Sequence, residues 1–160
     1  MFIPIFYFLF YIIKEMQKEK DLQFGFSEEN NKHKYLEKFF GKLELTIEKY
    51  GTHFEFDKYN DKYFIELKSR RIRHNQYSTL FFGKNKYLKG KKLLEENPEV
   101  RIFYMWNCFD GIYYWEHGSS EYTEKISGRR DRGRIEENMC IHILQKDIHN
   151  INGLPVEMNK

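Results

Sequence analysis

Three charged residues near the middle of the chain have the types and the spacing that could bind a divalent metal ion. Asp57 lies near the end of one predicted strand, and Glu66 and Lys68 lie two residues apart on the next. Residues that alternate along a strand share one face of a sheet, so Glu66 and Lys68 project to the same side. Two close carboxylates repel each other unless a cation neutralises them, and carboxylate oxygens suit Mg²⁺. The group therefore indicates a magnesium site.

The stretch around these residues is predicted to be an antiparallel hairpin with its turn at Asn60-Asp61. A short turn there predicts three pairs of opposite residues: Tyr59 with Lys62, Asp57 with Phe64, and Glu55 with Glu66. The charged side chains then share one face, and apolar side chains cover the face that we expect to join the core: Phe54, Phe56, Tyr63, Ile65 and Leu67. The same pattern also fits an amphipathic hairpin whose charged face is simply solvated.

This stretch resembles the PD-(D/E)XK nuclease superfamily, in which an acidic residue near a strand end is followed by Glu-x-Lys or Asp-x-Lys on the adjacent antiparallel strand. Asp57 matches the first acid, and Glu66-Leu67-Lys68 matches the second element. Phe56 stands where the family pattern has a proline. The resemblance covers roughly residues 25–151.

The resemblance implies a nuclease whose metal ion, Mg²⁺ or Mn²⁺, is held by Asp57 and Glu66 and assisted by Lys68. A metal ion bound there lowers the pKa of a bound water and can hold a phosphate oxygen. Lys68 would orient that water or stabilise charge in the transition state. Catalysis with two metal ions would need a further acid, for which Glu55 is the neighbour.

A helix predicted over Ser27–Phe40 could supply another metal ligand. Ser27 is a suitable N-cap and Gly41 a suitable C-terminal stop. Many PD-(D/E)XK nucleases carry an acid on the first helix, and Glu29 is the candidate here, with Glu28 as the alternative. Both acids would equally suit the positive end of the helix dipole without binding metal.

Several basic residues are candidates for contacts with nucleic acid. Those directly after the Glu66–Lys68 strand lie where a phosphate backbone would pass: Arg70, Arg71 and Arg73. Lys84 precedes a lysine-rich predicted helix, and Lys86 lies in the first turn of that helix. Four more basic residues lie in a glycine-containing loop: Arg129, Arg130, Arg132 and Arg134. All of them also fit ordinary solvated surfaces.

The remaining pattern predicts the fold. A helix over residues 85–96 ends at Asn97-Pro98, and the apolar run 100–106 is typical of a strand buried on both faces. Asp110-Gly111 predicts a hairpin turn, and residues 139–144 a last strand followed by a loose tail. The order of the predicted helices and strands along the chain agrees with an α/β restriction-endonuclease-like fold, with a central mixed β-sheet flanked by helices.

Composition limits the protein's class. The formal net charge of +3 and pI of about 8.7 are compatible with binding nucleic acid and do not require it. Alanine is absent and lysine, asparagine and aromatic residues are abundant, which suggests an AT-rich genome such as that of a virus or parasite. Cys108 and Cys140 have no C-x-x-C spacing, so we expect a reducing, intracellular location (cytoplasm, nucleus or viral factory) and no secretion.

The apolar start of the chain, MFIPIFYFLFYII, is shorter than the roughly 20 residues needed to span a bilayer. We expect residues 1–15 to be an extension, in keeping with a mis-assigned start, ahead of a nuclease-like domain over 16–152 and a tail over 153–160. A shallow membrane anchor and an extra element packed on the domain are the alternatives.

The expected function is Mg²⁺-dependent hydrolysis of phosphodiester bonds in nucleic acid, with DNA as the expected substrate and a homodimer as an option for cutting two strands. A binding module without activity on the same fold is the first alternative. A membrane-associated structural protein is the second, although a membrane partner is not expected.

Overall fold

The computed structural model describes residues 5–51, 54–127 and 138–155. Its helices are α1 (Ile5–Phe40), α2 (Thr46–Tyr50) and α3 (Lys84–Glu96). Its strands are β1 (Glu44–Leu45), β2 (Lys58–Tyr59), β3 (Tyr63–Ser69), β4 (Thr79–Gly83), β5 (Arg101–Cys108), β6 (Gly111–Glu116), β7 (Thr123–Ser127), β8 (Asn138–Leu144) and β9 (His149–Asn150). Two 3₁₀ turns, Gln145–Asp147 and Ile151–Gly153, flank β9.

The strands of the described residues form two sheets. The central sheet has six strands in the order β1-β2-β3-β5-β6-β9, and β3 and β5 are parallel while the other neighbours are antiparallel. A second, antiparallel sheet has the order β4-β8-β7. The mixed sheet with its flanking helices confirms the predicted restriction-endonuclease-like α/β fold.

Alternation along β3 divides the core into two layers. Tyr63, Ile65 and Leu67 pack with Leu36 and Phe40 of α1 on one face of the central sheet. On the other face, β3 and β5 pack against the side of the molecule that carries the second sheet: Phe56, Phe64, Phe82, Tyr104, Trp106 and Ile141 belong to this layer. Residues 102–108 of β5 are all buried, which confirms the predicted strand with two covered faces.

The predicted start of the first helix at Ser27 is wrong, since α1 begins at Ile5. Residues 14–23 between these two positions are mostly lysine, glutamate and glutamine, which favour helix, and the whole segment contains no proline. Ser27 is therefore an interior residue and not a cap. The predicted end is confirmed, because Gly41 adopts a φ of 75° and its N–H donates to the Glu37 carbonyl at 3.0 Å. None of the helices in the described part of the chain combines the length and apolar character that crossing a bilayer requires.

The predicted turn at Asn60-Asp61 is confirmed, but the predicted register is wrong by two residues. Tyr59 pairs with Phe64 and Lys58 with Ile65. The reason is the Asn60 side chain, whose Oδ1 accepts hydrogen bonds from the backbone N–H groups of both Lys62 and Tyr63, each at 2.9 Å. This lengthens the connection beyond the two-residue turn that the prediction assumed.

The segment before β2 also differs from the prediction. β2 contains Lys58 and Tyr59, and residues 54–57 are irregular. The predicted alternation of apolar and charged side chains between two sheet faces therefore fails over residues 54–57. Phe54 and Phe56 pack against Phe64, on the face opposite to Ile65 and Leu67.

The chain after β8 is more ordered than the predicted tail. β8 is not the last strand, because β9 pairs with β6 and the next residue, Ile151, is 1% exposed. The α3 helix and the β5–β6 hairpin agree with the prediction, but the two turn residues are Phe109 and Asp110, because Gly111 already belongs to β6 and pairs with Cys108.

Candidate functional site

The site forms where β2 ends its pairing with β3. The Asp57 N–H donates to the Ile65 carbonyl at 3.0 Å, so the β2–β3 register continues by one residue and places Asp57 across from Glu66. The Asp57 side chain then turns onto the neighbouring strand, where its Oδ2 accepts from the Leu67 N–H at 3.0 Å. Asp57 is thereby held at the edge of β3 by two hydrogen bonds, one from its backbone and one to its side chain.

Glu66 is buried on the same side, with 4% of its surface exposed. Its Oε1 lies 2.5 Å from the ammonium of Lys86, which reaches over from the first turn of α3. Its Oε2 is buried and has no hydrogen-bond partner among the described residues. A buried carboxylate oxygen without a partner is expensive, so this atom is a site where a cation would be stabilised.

The electrostatics of Glu66 are dominated by its removal from water. Burial, followed by the negative charge of Asp57, raises the pKa of Glu66 to about 8, against the opposing effect of Lys86. The attraction of one lysine therefore does not offset the combined effect of burial and of the Asp57 charge on Glu66. A divalent ion next to Asp57 and Glu66 would oppose both effects with a larger positive charge.

A cavity of about 140 Å³ opens in front of Glu66. It is lined by four charged residues and by residues of β4 and β5: Glu66, Lys68, Arg70, Lys86, Phe82, Gly83, Tyr104, Met105 and Trp106. Lys68 is exposed, as expected for the residue that follows the buried Leu67 at the open end of β3. The structure thus brings Glu66, Lys68, Arg70 and Lys86 to one cavity.

Other basic residues from the sequence prediction lie elsewhere. Arg71 extends toward α1, where it lies 3.5 Å from Asp21 and over the Phe24 ring. Arg73 is exposed in the loop after β3. Lys84 pairs with Glu124 of β7 at 2.8 Å.

Several predicted site residues cannot be placed beside the carboxylates. Glu28 and Glu29 lie in α1, but their side chains are outside the described part, and the described C-terminal turns of α1 pack on the sheet face opposite to Glu66. The arginines of the predicted loop lie outside the described residues: Arg129, Arg130, Arg132 and Arg134. Their roles stay predictions.

The donor set present fits a divalent ion with a small number of protein ligands. Within residues 5–51, 54–127 and 138–155, no group of three or more histidine, cysteine, aspartate or glutamate side chains converges. Asp57 and Glu66 are a pair of oxygen donors, and Mg²⁺ is commonly bound by one or two carboxylates with water and substrate phosphates completing its shell. The buried Oε2 of Glu66 is the atom that most directly fits such an ion.

Lys86 is the member of this site whose position the sequence did not indicate. Its lysine-rich surroundings suggested a surface that contacts nucleic acid, and its pairing with Glu66 depends on how α3 packs against the sheet. Local spacing contains no signal for such a contact.

Comparison with known proteins gives an assignment at the level of the family. No match was found among curated proteins or among solved structures. A family model described as "Phage putative PDDEXK endonuclease" matches residues 20–151, which include both carboxylates, Lys68 and Lys86. This match covers most of the chain, and the chain therefore belongs to this PDDEXK endonuclease family, within the PD-(D/E)XK nuclease superfamily.

Proposed function

We propose that this protein is a Mg²⁺-dependent endonuclease that hydrolyses phosphodiester bonds in DNA. Asp57 and Glu66 hold the metal ion, and Mn²⁺ can replace Mg²⁺. The observation that carries this proposal is the carboxyl group of Glu66, which is buried beside Asp57 and leaves Oε2 without a described partner. The membership in a PDDEXK endonuclease family supports the same reaction class.

Asp57, Glu66 and Lys68 have different roles around the metal ion. A bound divalent ion supplies a water of lowered pKa and neutralises charge on the phosphate. Asp57 and Glu66 fix the ion at the edge of β3. Lys68 is exposed at the mouth of the cavity, where its ammonium can orient the attacking water or stabilise the negative charge of the transition state.

Arg70 is the strongest candidate for a contact to the DNA backbone. It lines the cavity together with Glu66 and Lys68, and its backbone N–H donates to the Asn107 carbonyl at 2.9 Å, which fixes its position at the end of β3. A guanidinium can bind two phosphate oxygens at once and so orient the substrate without selecting its sequence. Arg73 is exposed further along the same loop, where a longer substrate would contact it, whereas Arg71 turns toward Asp21 and Phe24 of α1.

The test is cleavage of single-stranded, nicked, branched and plain duplex DNA, and of RNA, with Mg²⁺, Mn²⁺ or EDTA. The wild type is compared with Asp57→Ala, Lys68→Ala and the control Asp61→Ala, which changes an exposed acid in the nearby turn. We expect metal-dependent cutting of DNA that is lost with Asp57→Ala and Lys68→Ala and kept with Asp61→Ala. Each of the two losses should reach about 10²-fold or more, as for other groups that act at a transition state.

Absence of cutting on every substrate, with nucleic acid still bound equally by all variants, would contradict the proposal and favour a binding module. Cutting of RNA alone would retain the reaction class and correct the substrate.

A further inference from the structure

We infer that Lys86 is a positioning residue of the metal site: its ammonium fixes the Glu66 carboxylate through Oε1, which keeps Oε2 available to the metal ion. The inference rests on the proposed function, because it assigns Lys86 a role toward the same ion. It adds a second lysine to the site, from a different element than Lys68 and with a different role.

The contacts of the Lys86 ammonium define this role. It lies 2.5 Å from Glu66 Oε1 and donates to the Glu55 carbonyl at 3.0 Å. The Lys86 ammonium thus contacts the buried Glu66 carboxylate and also the backbone of the irregular segment that leads to Asp57. Lys86 therefore ties together the two chain segments that supply the proposed metal ligands.

The backbone of Lys86 is itself held against the sheet. The Tyr104 hydroxyl lies 3.3 Å from the Lys86 carbonyl, to which it donates, and 2.9 Å from His117 Nδ1. The close approach of α3 at this point depends on Gly90, where an added Cβ would lie 2.5 Å from the Tyr104 hydroxyl oxygen. These contacts set the position of the helix from which Lys86 reaches Glu66.

Two physical effects of Lys86 on metal binding have opposite signs. An ammonium repels a divalent cation, so its removal would by itself tighten binding. Its hydrogen bond, however, orients a buried metal ligand, and groups that orient ligands in this way typically change metal affinity by about 10- to 100-fold. The Lys86 side chain is 25% exposed and its charge is partly screened by solvent, whereas the Glu66 side chain is 5% exposed. We therefore expect the loss of orientation to dominate.

The experiment measures Mn²⁺ binding to the full-length protein by isothermal titration calorimetry, at a fixed pH and without nucleic acid. Lys86→Met keeps an unbranched side chain that favours helix and removes the charged donor. Lys86→Arg keeps a charged donor. Lys92→Met is the matched control, because it makes the same charge change at an exposed position of the same helix.

We expect Lys86→Met to bind Mn²⁺ about 10- to 100-fold more weakly than the wild type. Lys92→Met should bind like the wild type, and Lys86→Arg should recover most of the lost affinity. Thermal unfolding of each metal-free variant shows whether the fold is retained. A purely structural role for Lys86 would lower the unfolding temperature without this selective loss of metal affinity.

Unchanged or tighter Mn²⁺ binding by Lys86→Met would overturn the inference, and so would an equal loss in Lys86→Met and Lys86→Arg. The proposed function is tested separately in the same titrations. If the wild type binds Mn²⁺ no better than a Glu66→Ala variant, the metal site itself fails. If the wild type binds and Lys86→Met binds equally well, the inference alone fails.

Discussion

The carboxyl group of Glu66 lies where the fold disfavours its charge. Burial and the neighbouring Asp57 raise its pKa from an ordinary value of 4.5 to about 8. The metal-free protein therefore holds the Glu66 proton more tightly than the unfolded chain does between these pH values. A functional acid that destabilises the folded protein in the absence of its ligand is a common compromise between stability and activity.

This environment predicts how stability depends on pH in EDTA. The stability contributed by the Glu66 proton is fully present below pH 4.5 and is lost as the pH rises to about 8. Glu66→Gln keeps a similar shape without the charge. We therefore expect its free energy of unfolding to exceed that of the wild type by a margin that grows with pH and reaches the order of a few kcal/mol near pH 8.

Urea unfolding over a pH series measures this difference in the free energy of unfolding. Glu96→Gln, at an exposed position, is the control and should follow the wild type. Parallel pH profiles for the wild type and Glu66→Gln would contradict the prediction.

The residues of the site differ in how far the sequence could predict them. Glu66 and Lys68 were predictable as neighbours because alternation along β3 is a local property. Asp57 lies across from Glu66 because a register shift of two residues leaves opposite residues on the same face. The contact between Lys86 and Glu66 was not predictable, because it joins residues of α3 and β3 through tertiary packing. The different surroundings of Arg70 and Arg71 likewise depend on the loop after β3, whose path local spacing does not determine.

At the scale of elements, the packing of α3 on the sheet depends on a glycine in the middle of the helix. Gly90 is buried beneath Tyr104 and His117, and a Cβ there would also lie 3.0 Å from His117 Nδ1. Tyr104 cannot easily move away, because it is 1% exposed and its hydroxyl bonds both His117 and Lys86. Gly90→Ala must therefore shift the helix or the ring.

We expect Gly90→Ala to destabilise the protein by about 1–3 kcal/mol, as overpacking does. In an exposed helix the same change would stabilise by up to about 1 kcal/mol, so the sign of the effect is diagnostic. Thermal unfolding measures it, with Lys92→Ala at an exposed position of α3 as the control. A stabilised Gly90→Ala protein would show that α3 does not depend on this close approach.

The turn between β2 and β3 connects the hairpin to the end of α1 through a single side chain. Asn60 Nδ2 donates to the Phe40 carbonyl at 2.8 Å and to the Lys42 carbonyl at 3.2 Å, while its Oδ1 accepts the two N–H groups of the turn. Asn60→Ala leaves these backbone groups without their partner. The change affects the helix end and the strand register together.

We expect Asn60→Ala to reduce the free energy of unfolding by about 1–3 kcal/mol, the usual cost of leaving such groups unpaired. Asp61→Ala, at the exposed next residue, should have little effect. Urea unfolding compares the two. Similar stability of both variants would contradict the role assigned to the Asn60 side chain.

The elements that the sequence predicted well are those with strong local signals. The apolar run of β5, the end of α3 before Asn97-Pro98 and the β5–β6 hairpin, whose turn lies one residue before the predicted Asp110-Gly111, each carry their signal within a few residues. The start of α1 was missed because Ser27 resembles a cap, although the helix that begins at Ile5 continues through it. The β2–β3 register was missed because it depends on the bonds made by one side chain, Asn60, which spacing does not encode.

At the scale of the whole molecule, α1 extends beyond the residues that pack on the sheet. Its last turns bury Leu36, Phe39 and Phe40 against the sheet, and its middle meets Arg71 through Asp21 and Phe24. Earlier apolar side chains of the helix are exposed: Leu9, Phe10, Tyr11, Ile12, Ile13 and Met16. The family match begins at residue 20, after this exposed portion.

We expect a protein that starts at Met16 to keep the thermal stability, Mn²⁺ affinity and cleavage of the full chain. Removing the apolar residues before it should reduce self-association, because exposed apolar surface promotes aggregation. A second truncation that starts at Asn31 also removes Asp21 and Phe24, the contacts of Arg71, and should lower stability measurably. Unfolding temperature and light scattering of the three proteins give the comparison. If the Met16 protein loses as much stability as the Asn31 protein, the first turns of α1 contribute to the fold and are not a separable extension.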